Sequence, residues 1–213
     1  MKKFELTSEF VTFLGKKLFR IKALISFGNV EEGELGGYVE KEENLSDDGN
    51  AWVYGDARVC GDAEVYGNAR VCGDARVYGN AEACGNAWVY GDAEVYGDAR
   101  VYGNARACGN AWVSGNARVS GNARVYGDAE VCGDARVYGN ADYATVHGFG
   151  SEYRTTTFFR TKEGDIGVRC GCFYGTLEEF RAKVKETHGE TKTAKEYLMV
   201  ADLMEFRFSK EEA

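Results

Sequence analysis

Hydrophobic and polar positions alternate along the middle of the chain with a fixed step of six. From Gly49 to Asp142 the phrase Gly-(Asp/Asn)-Ala-x-(Val/Ala)-(Tyr/Cys/Ser) repeats without an insertion, and sixteen glycines from Gly49 to Gly139 fall on one comb. In Ala51-Trp52-Val53-Tyr54, period-2 alternation sends Ala and Val to one face and Trp and Tyr to the other. Gly55-Asp56 then makes a corner, because Gly, Asp and Asn tolerate positive φ. So strict a period reads as a solenoid. Small-x-aliphatic-x-corner in steps of six predicts a left-handed parallel β-helix, with three hexads to each triangular coil.

Three hexads per coil stack residues eighteen apart, and the corner columns test this. The column Asn50, Asn68, Asn86, Asn104, Asn122 and Asn140 is Asn throughout. The next, Asp56, Asp74, Asp92, Asn110 and Asp128, is largely acidic, and the third alternates through Asp62, Asn80, Asp98, Asn116 and Asp134. A pure column is what a ladder of side-chain amides, each bonded to its neighbour a strand spacing away, requires. Sixteen hexads give about five coils, a stack of about 24 Å at ~4.8 Å per layer. Inside, aliphatics stack on alanines, with Ala83 and Ala107 as the Val-position replacements. Each fully buried Val contributes about 1.5–3 kcal/mol, so the array supplies a core of its own.

The flanks lack the period. Residues 1–38 read as an N-terminal β cap, with strands at Phe10–Leu14 and Leu18–Phe27 about a Gly15-Lys16 turn. Such a cap covers the apolar end and unpaired backbone of a first coil. The solenoid is assigned to 39–150, with a degenerate first coil in which Val39 and Leu45 keep the six-residue step ahead of Ala51. Its register breaks at Tyr143, and Tyr143 and Phe149 are expected to plug the open end. Residues 151–213 read as an α+β domain: a hairpin of Arg154–Thr161 and Ile166–Phe173, then two helices, one opened by the capping box Thr176-Leu177-Glu178-Glu179 and one from Thr193. The second helix carries the stripe Tyr197, Leu198, Ala201, Met204 and Phe208.

Composition narrows the function classes. A net charge of −8 argues against a nucleic-acid partner or an anionic membrane. The first residues lack a signal-peptide core, and Lys16, Lys17, Arg20 and Lys22 interrupt the most apolar N-terminal stretch, so a soluble cytoplasmic protein is expected. Five of seven cysteines (Cys60, Cys72, Cys84, Cys108 and Cys132) share one repeat position, which reflects the hexad and not a disulfide plan. With two histidines, His147 and His188, a three-histidine metal site is excluded, and neither a metal nor a cofactor is expected. The acidic columns are interrupted by arginines, against DNA mimicry, and one stacked column converges too few oxygens for calcium.

Candidate sites lie outside the core. Trp52, Arg70, Trp88, Arg106 and Arg124 stack on one face with Tyr54, Tyr90 and Tyr126, a cation–π ladder and the first choice for a homo-oligomer (trimer or dimer) interface. Arg154, Thr156, Phe158 and Arg160 share a strand face with Arg169 across the hairpin, a seat for a small anionic, nucleotide-like ligand. A solvated strand face balanced by nearby Glu is the plainer reading. Cys170 and Cys172 alternate to the same side of a strand, where core packing is expected. His147, just past the array, is the sole candidate base if the fold carried acyltransferase chemistry. No extruded loop accompanies it to shape a substrate pocket.

Two stretches carry a family resemblance. Leu35-Gly36-Gly37-Tyr38-Val39-Glu40-Lys41-Glu42-Glu43-Asn44-Leu45-Ser46, running into Gly49–Tyr54, resembles the opening segment of YdcK-like hexapeptide-repeat proteins, which occur in bacteria, phages and prophages. Gly171–Phe180 is similar to the C-terminal piece of phage-associated members. The resemblance implies a left-handed β-helix and a phage or prophage origin. It implies no established activity and supplies no catalytic residues. The leading expectation is a non-enzymatic, oligomeric binding scaffold that engages a host protein or small anionic ligand, in a phage setting to counter host defence. The alternatives are an acyltransferase using His147 and a structural phage component.

Overall fold

The computed structural model describes residues 2–209, so Met1 and the last four residues of the expected 151–213 region lie outside it. The hexads form a parallel β-solenoid in which fifteen successive repeats, among the described residues, each contribute a two-residue strand, from Trp52–Val53 to Arg136–Val137. Consecutive strands fall on three successive faces. Face I carries Trp52, Arg70, Trp88, Arg106 and Arg124; face II carries Arg58, Arg76, Glu94, Trp112 and Glu130; face III carries Glu64, Glu82, Arg100, Arg118 and Arg136. Each strand pairs in register with the one eighteen residues on, as in Trp88 with Arg70 and Arg106. The Ala and Val columns from Ala51 to Val137 are almost wholly inaccessible to solvent, so they fill the interior as the alternation requires.

The corner ladder is present. Asn50, Asn68, Asn86 and Asn104 each donate Nδ2 to the Oδ1 of the next Asn at 3.1–3.2 Å. Asn140 departs from the expected column: its Oδ1 accepts Arg124 N at 2.9 Å. One coil earlier, Arg106 N donates to the Ala123 carbonyl, so the Asn140 side chain replaces the carbonyl of a coil that does not follow. Thr157 Oγ1 does the same for Glu130 N at 3.0 Å. The last coil is thus closed by side chains.

Residues 35–48 add a sixth coil before the regular five. Val39 and Leu45 pair with Val59 and Val65, which places them in the Val column and not in the alanine column that the step to Ala51 predicts. The coil carries two surplus residues at the corner before Asn50, because Ser46 N reaches Val65 O while Asn50 N reaches Gly67 O. Asp47 in this bulge accepts Lys3 N at 2.9 Å and ties down the N-terminus.

Strands β1 (Phe4–Phe13), β2 (Lys16–Ala23) and β3 (Leu35–Val39) are antiparallel neighbours, and β3 continues into the parallel sheet of face II. The cap therefore extends one face of the solenoid. At the other end Tyr143 is the expected plug, 6% exposed with its hydroxyl donating to Arg124 O at 2.6 Å, whereas Phe149 stands in solvent. Tyr143–Val146 pairs with Thr156–Arg160, which is followed in the sheet by Ile166–Cys170 and Phe173–Thr176. We call these four antiparallel strands β4 to β7. Phe159 points into the solenoid core and Phe158 into a second core beneath helices α1 (Leu177–His188) and α2 (Lys192–Phe208). Thr176 and Glu179 close the capping box of α1, and Thr191 caps α2 two residues before the expected start.

Candidate functional site

Face I is less exposed than its sequence column promises. Trp52 is 0% exposed: Phe4 and Phe27 of the cap meet its ring edge-on at 6.3 and 5.4 Å, so it belongs to the core and is no surface anchor. The cation–π ladder survives as one step, with Arg70 and Arg106 at 5.2 and 5.0 Å from the Trp88 ring. Trp88 meets Tyr90 edge-on, and Tyr126 meets Tyr143. Tyr54 is half-buried, and burial raises its phenol pKa.

The four residues expected to hold an anion do not converge. Arg169 pairs opposite Thr157, which turns it to the solenoid side, away from Thr156. There it donates Nε to Glu130 at 2.8 Å. Thr156 is buried and donates its hydroxyl to Cys170 Sγ. Arg160 donates to the Phe208 and Gly164 carbonyls. Arg154 is exposed, 3.7 Å from Glu152, and lines a different cleft from Arg160. Cys172 is exposed, because Gly171 turns the chain at φ +57° between β6 and β7, so the two thiols do not pack together. His147 is exposed with Nδ1 3.0 Å from Thr155 Oγ1, and His188 stacks on Tyr197. Among the described residues no group of His, Cys, Asp and Glu could hold a metal ion, and no helix is long and apolar enough to cross a membrane.

An aromatic surface site that the sequence pattern did not single out lies on face II. Tyr78 and Tyr96, eighteen residues apart, stack in parallel at 5.1 Å, and Trp112 meets Tyr96 edge-on at 6.5 Å. Glu94 holds the row in place, accepting from Arg76 Nη1 at 2.6 Å and from the Tyr78 hydroxyl at 2.8 Å. At its N-terminal end Phe13 of β1 packs edge-on against Tyr78 at 5.9 Å. At the other end the row runs into a cleft of about 280 Å³ walled by Tyr96, Trp112, Ser114, Glu130, Cys132, Arg169 and Tyr174. Tyr174 reaches over from β7, its hydroxyl against Gly133, where φ is +61° and a Cβ would lie 1.8 Å from the oxygen. A side chain there would strain the backbone and displace the Tyr174 hydroxyl.

The electrostatics of the cleft are balanced. Arg169 and Glu130 neutralise one another, and the hydrogen bond to Glu130 raises the Arg169 pKa further. Burial pushes the Cys132 thiol up to about 11, so it lines the wall as a neutral, inert group. Trp112 is 42% and Tyr174 47% exposed, which leaves both rings presented to solvent.

Comparison with known proteins agrees with the architecture. The family model described as "YdcK Beta solenoid repeat" matches residues 69–81, 93–109, 111–127 and 117–133, which include Tyr78, Tyr96 and Trp112. No curated protein sequence matches the chain.

Proposed function

For a chain whose central array is built of YdcK β-solenoid repeats, we propose a non-catalytic binding scaffold with the face II cleft as its seat and a neutral sugar ring as its class of ligand. The observation that carries this reading is the Tyr78–Tyr96–Trp112 row ending in a charge-balanced cleft. A sugar ring has apolar C–H faces and a rim of hydroxyls. The faces fit Trp112 and Tyr174; the rim fits the acceptors of Glu130, the donors of Arg169 and the Ser114 hydroxyl. A nucleotide would bring phosphate charge to a cleft whose Arg169 is already paired with Glu130. The rings are held by a packed solenoid, so binding orders little that is not already ordered. In the phage setting that the resemblance implies, such a scaffold engages a component of the host.

The test is intrinsic fluorescence titrated with cellotetraose, maltotetraose and chitotetraose. A saturable change is expected in the wild type and in Trp88→Ala, and its loss in Trp112→Ala, whose melting temperature should stay within a few degrees because the ring is partly exposed. No response to any neutral oligosaccharide in the millimolar range refutes the ligand class. A response that survives Trp112→Ala refutes the site.

A further inference from the structure

Helix α2 carries two apolar stripes. Its inner one, Tyr197, Ala201, Met204 and Phe208, is buried in the second core. The outer one is Met199, Leu203 and Phe206, at 71%, 57% and 78% exposure. These three stand at i, i+4 and i+7 and so share one face of the helix. Single exposed apolar residues are ordinary on protein surfaces, but three large ones in a row on one helix mark a surface that is covered in use.

We propose that a second copy of this chain covers it, with the two α2 helices antiparallel about a two-fold axis near Leu203. The charges beside the stripe choose this occupant. Glu196 and Arg207 lie along the same edge of the stripe, eleven residues or about 16 Å apart. Antiparallel pairing sets Glu196 against Arg207 of the partner subunit, and the symmetry repeats the contact. The same register brings Met199 towards Phe206 of the partner subunit and the two Leu203 side chains together. Asp202 and Glu205 lie to the other side, where Arg181 of α1 binds both. Lys192 is 3.7 Å from Glu196 at the exposed start of the helix, and Lys195 is exposed one turn before Met199. A rim holding both signs suits a copy of itself better than a strongly acidic or basic peptide, and Asp202 and Glu205 disfavour an anionic lipid surface. This inference rests on α2 alone and is independent of the cleft on face II.

The experiment is sedimentation velocity on the full chain, with circular dichroism confirming the fold of each variant. The wild type should sediment as a dimer, and Leu203→Glu should weaken the dimer at least about 100-fold. Glu196→Arg and Arg207→Glu should each weaken it about 10-fold, and the double exchange should restore it, as expected only if the two positions meet across the axis. A wild type that stays monomeric at about 100 µM overturns the proposal. A dimer that survives Leu203→Glu overturns it as well, and failure of the double exchange to restore association overturns the antiparallel register.

Discussion

The corner ladder has a direction, and this permits a sharp test. In the mixed columns the bonded pairs are Asn80 to Asp98, Asn110 to Asp128 and Asn116 to Asp134, at 2.9–3.2 Å, and in each the Asn comes first. A carboxylate only accepts, so these pairs fix the polarity: the amide N–H₂ of one corner points to the oxygen of the next. In the pure column Asn86 accepts from Asn68 and donates to Asn104, whereas Asn122 accepts from Asn104 and has no ladder partner ahead, because Asn140 has turned to Arg124 N. Asn86→Asp therefore removes one hydrogen bond, about 0.5–1.5 kcal/mol, and sets two acceptor oxygens face to face. For a chain of this length that should lower the melting temperature by about 1–6 °C. Asn122→Asp keeps its only ladder bond and strengthens it with charge, so its stability should stay within about 0.5 kcal/mol of wild type. Thermal melts by circular dichroism at pH 7 measure both. At about pH 3, below the ordinary Asp pKa of about 3.9, the new carboxyl of Asn86→Asp regains a donor and its deficit should shrink. Equal losses in the two variants at pH 7 would refute the polarity argument.

Two further outcomes follow from buried positions. Val95→Asp puts a carboxylate among the fully enclosed aliphatics and should cost at least about 3–5 kcal/mol, read as rapid cleavage of the array in limited proteolysis; a wild-type digestion pattern would contradict its inward placement. Lys3 is 1% exposed, donates to Ala51 O at 2.9 Å, and burial lowers its pKa from 10.5 to about 8. Between about pH 8 and 10.5 the unfolded chain then binds the extra proton, so this group makes stability rise with pH across that window. The difference in melting temperature between wild type and Lys3→Met should change in that direction from pH 7.5 to 10, and a constant difference would show that the ammonium is not desolvated.

The repeat was legible because its constraints are local in the coil: the Asn column, the Ala and Val interior and the Gly corners all follow from an eighteen-residue step contained in the sequence. What the column could not show is which part of a face the caps would cover. Trp52 occupies the same outward position as Trp88, yet Phe4 and Phe27 close over one and two arginines sandwich the other. Arg169 was misplaced by strand pairing, since its partner is Thr157 and a one-residue step exchanges the faces of a strand. Asn140 keeps the column in sequence but not in space, because the chain leaves the solenoid and its amide is drawn to the open edge. The stacked Tyr78 and Tyr96 could have been read from their eighteen-residue spacing. The cleft beside them could not, because Arg169 and Tyr174 arrive from strands far along the chain.

The two caps also explain why one face outranks the others. β1, β2 and β3 extend the sheet of face II at its N-terminal end, and Phe13 comes down on Tyr78. At the C-terminal end β5 closes the same face through Thr157 and Glu130, and β6 and β7 bring Arg169 and Tyr174. Face II therefore has a wall at each end of its aromatic row. The spacing between those walls is set by whole coils, in steps of about 4.8 Å, because a partial coil would break the strand register. The uninterrupted hexads between Gly49 and Gly139 accordingly do more than build a core: they act as a ruler that holds the hairpin tip and the C-terminal sheet at a fixed distance along one row of rings.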